Sequence, residues 1–444
     1  MRKMKKTSVD WIGEIPESWG LKTIKQLMIE RNEKNKGLEV NTILSLSAKD
    51  GVTIYDGENH SGNKPREDLS DYKIVRENDV VVNSMNILSG SVGLSKYTGV
   101  VSPVYYVYYP RFDGNIKFFH YIFQSFEFQR SLRGLGNGIL IKETESGGLN
   151  TIRMRIPSKK LGMQEFPICS RDEQNRIVEF LDANAQKVDV LIANQEAQIE
   201  KLKAYKQSLI TEVVTKGLDP NVPMKESGIE WIEKIPEIWS AVPLKTLFDF
   251  GKGLPITKEN LVEEGIPVIS YGQIHAKWNS GVTIHEELKR FVGKEYLETN
   301  PSCLVKKGDF IIADTSEDRE GCGNAAYVDI DDTIFAGYHT VILVSKKPNV
   351  DNKYLAYLFL TDAWRSQLRK RVSGIKVFSI SRKLLSETSV LVPDNASKMV
   401  ELLDKKCSQI DRLISIKQQK IEKLNLYKKS LIYEYVTGKK EVPA

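Results

Sequence analysis

The sequence predicts an α+β fold in which two similar mixed α/β domains are separated by two long helices. We expect these helices to pair as an antiparallel coiled coil with pseudo-twofold symmetry. Three features predict this fold. A stretch without Gly or Pro, residues 172–215, returns at residues 398–437 with roughly half of its positions identical. The pattern W-I-x-x-I-P-E-x-W occurs twice, at Trp11–Trp19 and Trp231–Trp239. Between these marks, short runs of β-branched and aromatic residues alternate with Gly, Asn and Asp turns.

These features divide the chain into domains and connections. The linker between the two halves is rich in turn-forming residues, including Gly217, Pro220 and Pro223. We predict a first mixed domain at 1–168, a first long helix at 169–216, a linker at 217–224, a second mixed domain at 225–396, a second long helix at 397–438 and a tail at 439–444.

Matching segments indicate that both mixed domains contain the same elements in the same order. The segment Gly51–Ile54, G-V-T-I, returns unchanged as Gly281–Ile284. Apolar spacing predicts one helix at about residues 116–132 in the first domain and another at residues 353–371 in the second.

Both long stretches are rich in Leu, Lys, Glu, Gln and Ala, which favour helices. Apolar residues recur every seven positions, a spacing typical of a coiled-coil seam. Polar residues interrupt the seam at equivalent places, Gln195 and Lys206 in the first helix and Lys417 and Lys428 in the second. Such residues lower stability but can fix register and choice of partner. The predicted pairing residues are Leu181, Val188, Ile192, Ile199, Leu202, Leu209, Leu403, Ile410, Ile414, Ile421, Leu424 and Leu431.

The two seams satisfy one another if the helices run antiparallel. A helix of about 43 residues extends roughly 65 Å, so the pair would act as a spacer of fixed length between the mixed domains. The alternative is two surface helices, each packed on its own domain.

Composition places few limits on function. The 444 residues, 41% of them hydrophobic, allow two or three packed domains. No apolar run reaches the ~18 residues of a membrane helix, and the basic N-terminus lacks the apolar segment of a secretory signal. The four scattered cysteines suggest reduced thiols, so we expect a cytoplasmic protein. A net charge of +6 permits a polyanionic partner without requiring one.

Catalytic and cofactor motifs are not found in the sequence. The segment Gly57–Lys64 has Asn63 where a P-loop needs Lys, so we interpret it as a turn. No G-x-G-x-x-G loop follows a strand, and the five histidines lack metal-binding spacing. The acidic run Asp309–Asp318 has no acidic counterpart after Asp79 in the first domain, which argues against catalysis shared by both halves.

The remaining candidate chemistry is binding. Basic, Gly-containing segments follow the predicted helix of each mixed domain, and Arg, Lys, Asn and Ser there suit phosphate contacts and hydrogen bonds to base edges. Polar loops at 59–64 and 273–279 could also contact bases. The alternative is that all of these are solvated surface loops. The candidate DNA-binding residues are Lys64, Arg130, Arg133, Asn137, Lys142, His275, Lys277, Asn279, Arg365, Arg369, Arg371, Ser373 and Lys376.

Taken together, the chain resembles the specificity subunit of a Type I restriction-modification system over nearly its whole length. The resemblance depends on the alternation of domains and helices, on the two tryptophan motifs, and on Pro167 followed by Glu173-Gln174-Asn175-Arg176-Ile177 at the start of the first helix. The I-E-K-L-x-x-Y-K segments near both helix ends also fit. One departure is the second helix, which starts at Asn395–Met399 without the E-Q-x-x-I pattern.

The resemblance implies that each mixed domain is a target recognition domain, which reads one half of a split sequence in double-stranded DNA. It implies that the helices dock methyltransferase subunits, and that restriction and translocation belong to further subunits of this host-defence complex. S-adenosylmethionine, ATP and Mg would then bind to the partners, and this chain would hold no cofactor, no metal and no catalytic residue. Open alternatives are a modification-only or Type IIB-like system, a degenerate methyltransferase or nuclease, and a coiled-coil scaffold without DNA contact.

Overall fold

The computed structural model describes residues 2–57, 64–143, 149–347, 352–374 and 376–443; the side chains of 137–143 and 149–154 are not included in this description. The loop residues 59–63 named above therefore lie outside the described part of the chain. The chain divides into two compact units. Unit 1 combines Met1–Gln195 with Gln418–Ala444, and unit 2 is Glu196–Lys417. Each unit thus contains a part of both long helices, whereas the predicted ranges treat each helix as a separate element.

Unit 1 is built around an antiparallel sheet with the strand order β4-β11-β8-β9, completed by the pairs β1-β2, β14-β3, β5-β6, β10-β7 and β12-β13. In this sheet Tyr106 of β11 lies opposite Val82 of β8. The strands are β1 (Met4–Lys6), β2 (Glu14–Pro16), β3 (Gly20–Thr23), β4 (Met28–Glu30), β5 (Leu44–Ser47), β6 (Gly51–Ile54), β7 (Lys73–Val75), β8 (Val80–Asn83), β9 (Val92–Leu94), β10 (Gly99–Val101), β11 (Tyr105–Pro110), β12 (Asn137–Glu143), β13 (Leu149–Arg155) and β14 (Glu165–Ile168). The helices are α1 (Ile24–Leu27), α2 (Ile116–Gln124), α3 (Phe126–Ser131), α4 (Ser158–Gly162) and the first part of α5 (Arg171–Lys216).

Unit 2 repeats the main sheet as β18-β26-β22-β24 and has a second four-stranded sheet, β20-β19-β25-β21, in which β19 and β25 are parallel. The pairs β15-β16, β17-β28 and β23-β27 complete it. The strands are β15 (Met224–Ile229), β16 (Ile232–Pro236), β17 (Ser240–Pro243), β18 (Phe248–Lys252), β19 (Ile266–Ile269), β20 (Arg290–Val292), β21 (Leu304–Val305), β22 (Phe310–Ala313), β23 (Thr315–Ser316), β24 (Ala325–Tyr327), β25 (Ile334–Ala336), β26 (Thr340–Ser345), β27 (Phe378–Ser379) and β28 (Ser389–Val392). The helices are α6 (Tyr271–Ile274), α7 (Tyr296–Thr299), α8 (Lys353–Phe359), α9 (Asp362–Arg369), α10 (Arg382–Ser386) and α11 (Ala396–Val436). The α+β class is confirmed.

The single helix predicted in each mixed domain is wrong, because each is two short helices, separated by Ser125 in unit 1 and by Leu360 and Thr361 in unit 2. Ser125 separates α2 from α3 with an extended backbone (φ −65°, ψ 133°), and Thr361 lies between α8 and α9 (φ −94°, ψ 149°). The Ser125 hydroxyl donates to the carbonyl of Ile122, and the Thr361 hydroxyl to that of Leu358. A hydroxyl bonded to a carbonyl three residues earlier competes with the helical hydrogen bonds, so the helix stops there.

The two long helices pair antiparallel within each unit, as predicted. In unit 1 the rings of Phe180 and Tyr435 lie 4.5 Å apart, and Lys428 Nζ lies 2.7 Å from an oxygen of Asp189. In unit 2 Lys206 makes the equivalent ion pair with Asp411, also at 2.7 Å. Lys206 and Lys428, which interrupt the predicted seam, thus each pair with an aspartate of the opposite helix. These ion pairs favour one register of the two helices.

Burial varies along the predicted seam. Six of the twelve predicted pairing residues are buried: Leu181, Val188, Ile199, Leu403, Ile410 and Leu431. The remaining pairing residues, Ile192, Leu202, Leu209, Ile414, Ile421 and Leu424, are half-buried. The helix ends therefore belong to the cores of the units, and the middle of the seam contributes less burial.

Each tryptophan motif packs against the end of a long helix. Trp19 and Trp239 are 1% and 2% exposed. Helix α5 is followed by Gly217 (φ +82°), where a Cβ atom would lie 3.2 Å from the Trp239 ring. Helix α11 is followed by Gly438 (φ +70°), where a Cβ atom would lie 2.6 Å from Pro16. Both the left-handed backbone and the close approach favour glycine at these helix ends.

The start of α5 is held by the E-Q-x-x-I residues. Glu173 accepts a hydrogen bond from the Trp19 indole at 3.0 Å, and Gln174 bonds to the amide of Asn115 and the carbonyl of Cys169, each at 2.9 Å. Near the start of α11, which begins at Ala396, the buried residues are instead the apolar Met399 and Val400. The two helices therefore begin by different contacts, in line with the departure seen in the sequence.

Candidate nucleic-acid interface

The candidates of unit 1 lie between β6 and β7 (Lys64) and at the end of α3 and beyond it. Lys64 and Arg130 are exposed, and the Arg130 guanidinium lies 6.0 Å from the Phe126 ring centroid. Arg133 is half-buried and follows α3 directly. Asn137 and Lys142 lie in β12, and their side chains are outside the described set.

Two of the polar candidates in unit 2 hold their own loop in place. The His275 ring lies 2.8 Å from the Thr315 carbonyl and 3.0 Å from the Asn324 amide nitrogen. Asn279 donates to the carbonyls of Ile274 and Ala325 at 2.8 and 3.0 Å. Lys277 between them is exposed. These contacts give His275 and Asn279 a structural role, and Lys277 remains available to a ligand.

The arginine run after α9 is mostly engaged in internal contacts. Burial lowers the pKa of Arg365 to about 10, and its Nε donates to the Phe359 carbonyl at 2.7 Å. Arg369 pairs with Asp362 at 2.7 Å and with Glu320 at 3.4 Å. Arg371 pairs with Glu387 at 2.6 Å.

The remaining two candidates of this segment lie at the surface. Ser373 forms a β-bridge with Ser379 and is exposed, and Lys376 is exposed as well. The segment therefore contains arginines held by internal contacts, followed by Ser373 and Lys376, which face solvent.

Each unit has an open cleft beside the same repeated segment, where a strand end meets a short helix, and the other walls of the two clefts come from different elements. In unit 1 the Ile156 amide bonds to the Ser84 carbonyl at 3.0 Å, just ahead of α4. In unit 2 the Ile380 amide bonds to the Asp314 carbonyl at 2.7 Å, just ahead of α10. The clefts have volumes of ≈ 480 Å³ and ≈ 820 Å³.

The cleft of unit 1 combines paired and unpaired cations. Lys73 pairs with Glu30 at 3.2 Å and lies 5.4 Å from the Tyr106 ring centroid. Arg155 and Lys159 are exposed cleft residues without an ion-pair partner among the described residues. Their charges therefore face solvent and could contact phosphate.

The cleft of unit 2 has a similar polar lining. Arg371 is neutralised by Glu387, and His339 lies 3.4 Å from an oxygen of Asp314. Lys383 is exposed, and no described acidic group lies within ion-pair distance of it. The hydroxyls of Ser379 and Ser381 line the same cleft and can donate or accept hydrogen bonds.

Lys159 and Lys383 were missed by the sequence analysis, although a signal was present. The segment Ile156–Leu161 aligns with Ile380–Leu385 without a gap, and the two lysines occupy the same position in that alignment. A search for repeated basic residues outside the helix-to-loop segments would have found them.

Within the described residues no cluster of three or more His, Cys, Asp or Glu side chains could hold a metal ion. No described helix is both long and apolar enough to cross a membrane.

Comparison with known proteins agrees with this arrangement. Residues 236–426 match the family "Type I restriction modification DNA specificity domain". The chain is 25% identical over 281 residues to the Type I restriction enzyme MjaVIII specificity subunit of Methanocaldococcus jannaschii, a match that spans 62% of each chain. It is 23% identical to the putative type I restriction enzyme MjaX specificity subunit of the same organism, over 96% of this chain and 95% of the relative.

One solved structure has a similar fold over almost the full length. It was described under "Structural basis underlying complex assembly and conformational transition of the type I R-M system", and the matched chain is 12% identical with a TM-score of 0.67. The match covers 95% of this chain and 98% of the other. At this identity the likeness concerns the fold alone.

Proposed function

We propose that the chain is a specificity subunit of a type I restriction-modification system, as its relatives are, and that it reads a two-part sequence in double-stranded DNA. Each unit would contact one part, and the paired helices would keep the two contacts at a fixed spacing. Linking two recognition units makes the second contact intramolecular, which raises the affinity for sites with the correct spacing.

The observation that supports this proposal most directly is the repeated cleft. Lys159 and Lys383 occupy equivalent, exposed positions in two units of similar construction. Their surroundings differ, since Lys73, Tyr106 and Arg155 line one cleft and His339, Ser379 and Ser381 line the other. Equivalent cations suit the phosphate backbone, which is the same at every site, and different neighbours suit different bases.

We further propose that the helices dock two methyltransferase subunits, with restriction subunits joining through them. Exposed apolar residues recur at equivalent positions of α5 and α11: Leu191 (44% exposed) matches Leu413 (48%), and Tyr205 (57%) matches Tyr427 (54%). Exposed Leu and Tyr at repeated positions suit two similar protein contacts. In this proposal the chain itself is not catalytic, and S-adenosylmethionine, ATP and Mg bind to its partners.

Methylation mapping tests the proposal. The chain would be expressed with its methyltransferase subunit in cells without other methylation, and the modified adenines located by sequencing. We expect a motif of two short defined blocks around an undefined gap. Replacing residues 11–157 with the same segment of a relative should change one block and leave the other unchanged.

Two results would contradict the proposal. A continuous motif would contradict two-part reading, and modification independent of sequence would contradict recognition by this chain. Separately, tight binding of S-adenosylmethionine by the isolated chain would contradict its proposed non-catalytic role.

A further inference from the structure

A groove in unit 2 lies at the end of α5, beside the second tryptophan motif. Its volume is ≈ 730 Å³, and its lining includes Thr211, Leu218, Met224, Trp231, Ala363 and Leu402. Trp231 is 37% exposed, Leu218 38% and Met224 36%. An aromatic and two long apolar side chains therefore face solvent around one concave surface, which is a common property of protein-binding sites.

The equivalent place in unit 1 is filled by the chain itself. The helix ends align as L-I-T-E-V-V-T and L-I-Y-E-Y-V-T, so that Tyr433 occupies the position of Thr211. The Tyr433 hydroxyl donates to the carbonyl of Trp11 at 3.0 Å, and Trp11 is only 8% exposed. In unit 1 a tyrosine from the long helix thus lies beside the first motif tryptophan, which is buried.

A second substitution enlarges the groove in the same place. Ala363 follows the Tyr357-Leu358-Phe359 segment at the same distance as Glu127 follows Tyr121-Ile122-Phe123. Two side chains of unit 1 are therefore replaced in unit 2 by smaller ones on adjoining walls. The groove is a specific difference between two otherwise similar units.

The charges around the groove favour a protein occupant over a polyanion. Glu212, Asp219 and Glu233 stand among the lining residues together with Lys216 and Lys234. Lys370 lies 5.3 Å from the Trp231 ring centroid, and its ammonium pairs with Glu230 at 2.6 Å. With acids and bases mixed, phosphates would gain no net attraction, whereas an apolar ring would gain contact with Trp231, Leu218 and Met224.

We propose that this groove receives a tyrosine or phenylalanine side chain of the methyltransferase subunit that docks on unit 2. The inserted ring would take the place that Tyr433 fills in unit 1. The inference rests on the proposed docking of methyltransferase subunits. It adds that the two docking sites are unequal, because among the described residues Tyr433 stands in unit 1 at the position where the groove of unit 2 is open.

The variant Thr211→Tyr tests the proposal by filling the groove in the manner of unit 1. The full-length chain would be titrated with purified methyltransferase subunit, and both binding steps measured. We expect Thr211→Tyr to weaken one of the two steps about tenfold or more and to leave the other unchanged, since buried aromatic anchors dominate protein interfaces. Thr211→Ser is the matched control, because it keeps both the groove and a hydroxyl that can bond to the Gln207 carbonyl.

A spectroscopic measurement on the unmodified interface removes the dependence on folding of the variant. The chain would be labelled with 5-fluorotryptophan, and the Trp231 and Trp11 signals assigned with Trp231→Phe and Trp11→Phe. On addition of the methyltransferase subunit we expect the Trp231 fluorine signal to shift and the signal of covered Trp11 to stay.

The outcomes separate this inference from the proposed function. A complex that forms with two equal steps, in which Thr211→Tyr binds normally and the Trp231 signal does not move, would overturn the groove proposal alone. Failure of the wild-type chain to bind the methyltransferase subunit at all would overturn the proposed partnership and the groove proposal with it.

Discussion

At the scale of single residues, an equivalent contact to an aspartate joins each long helix to the mixed part of its unit. The Tyr121 hydroxyl donates to Asp182 at 2.6 Å, and Lys117 Nζ lies 2.7 Å from the same carboxylate. In unit 2 Tyr357 and Lys353 bind Asp404 at 2.6 and 2.9 Å. The aspartates are part of the sequence repeat, and the structure gives the physical reason for their presence.

We expect Tyr121→Phe to lower the free energy of unfolding of unit 1 by about 1–2 kcal/mol, because a hydrogen bond to a partly buried carboxylate is lost. Tyr357→Phe should do the same in unit 2. Denaturant unfolding followed by circular dichroism measures the change. Tyr205→Phe, at an exposed position of α5, is the control. Equal stability of Tyr121→Phe and wild type would mean that the contact to Asp182 contributes nothing.

His120 predicts a pH dependence of stability. Burial lowers the pKa of His120 to about 4, and its Nε2 is enclosed without a partner among the described residues. The folded state therefore favours the neutral ring. Above pH 6.5, which is about the pKa of a histidine in the unfolded chain, both states are neutral at this residue and His120 does not lower the free energy of unfolding. Between pH 6.5 and 4 the unfolded chain binds a proton that the folded chain does not, so stability falls by an amount on the order of 2–3 kcal/mol.

The variant His120→Gln should remove most of that slope, because glutamine does not titrate. Denaturation midpoints between pH 7 and pH 4 would be compared for the two proteins. His285→Gln, at a residue on another part of the chain, is the control and should keep the wild-type slope. An unchanged slope in His120→Gln would assign the acid sensitivity to other groups.

The candidate residues show how far residue types in a sequence can predict a site. The composition of the arginine run suggested nucleic-acid contacts, but the phase of α9 decides that Arg369 faces Asp362 and that Arg365 is buried against a backbone carbonyl. Pairing with acids distant in sequence, such as Glu320, depends on tertiary structure and has no local signal. Lys159 and Lys383 carry weak local signals and become notable only when the two clefts are compared.

At the scale of elements, the long helices were predictable because their signals are long and repeated. A seven-residue period over about 40 residues defines the seam, and the paired polar residues mark its register. The break at Ser125 was not predictable in the same way. A hydroxyl that ends a helix and one on a continuous helix look alike in sequence, and only the packing of α2 and α3 distinguishes them.

Burial along the seam predicts a graded response to truncation. Leu181 and Leu403 are fully buried in the cores of their units, whereas Leu202 and Leu424 are half-buried. We expect Leu181→Ala and Leu403→Ala to cost about 2–5 kcal/mol each, as in other well-packed cores. Leu202→Ala and Leu424→Ala should cost clearly less, since fewer atoms leave an apolar environment.

Thermal or denaturant unfolding of the four variants measures this order. Aspartate at the same middle positions should be more damaging than alanine, because an unpaired charge would then face the seam. Equal losses at all four positions would contradict the graded burial and would indicate that the whole seam unfolds as one block.

At the scale of the whole molecule, the two clefts predict separable contributions to DNA binding. We expect Lys159→Ala and Lys383→Ala each to weaken binding to a target duplex and to reduce the slope of log affinity against log salt by about 0.9. The double variant should show the sum. Lys203→Ala, at an exposed helix residue paired with Glu200, is the control. Salt slopes equal to that of wild type in both single variants would remove the clefts from the interface.

The composition of the two units predicts which fragments fold. Unit 2 is one continuous segment, 196–417, whereas unit 1 requires 418–444 in addition to 1–195. The core of unit 1 includes Leu431, Ile432, Tyr435 and Val436 from the end of α11. A fragment of residues 1–195 would expose the apolar surface that these four side chains cover, at about 1.5–3 kcal/mol for each fully buried one.

We therefore expect the fragment 1–195 alone to be unfolded or aggregated. If residues 418–444 are joined by a flexible linker to the N-terminus of 1–195, we expect a domain that folds cooperatively. Segment 196–417 should fold without additions. Circular dichroism and thermal unfolding of the purified fragments measure both expectations. The control is 1–217, which has the whole of α5 but still lacks the end of α11. If 1–217 or 1–195 unfolded as cooperatively as the joined fragment, the end of α11 would be dispensable, and the core of unit 1 would have to be complete without it.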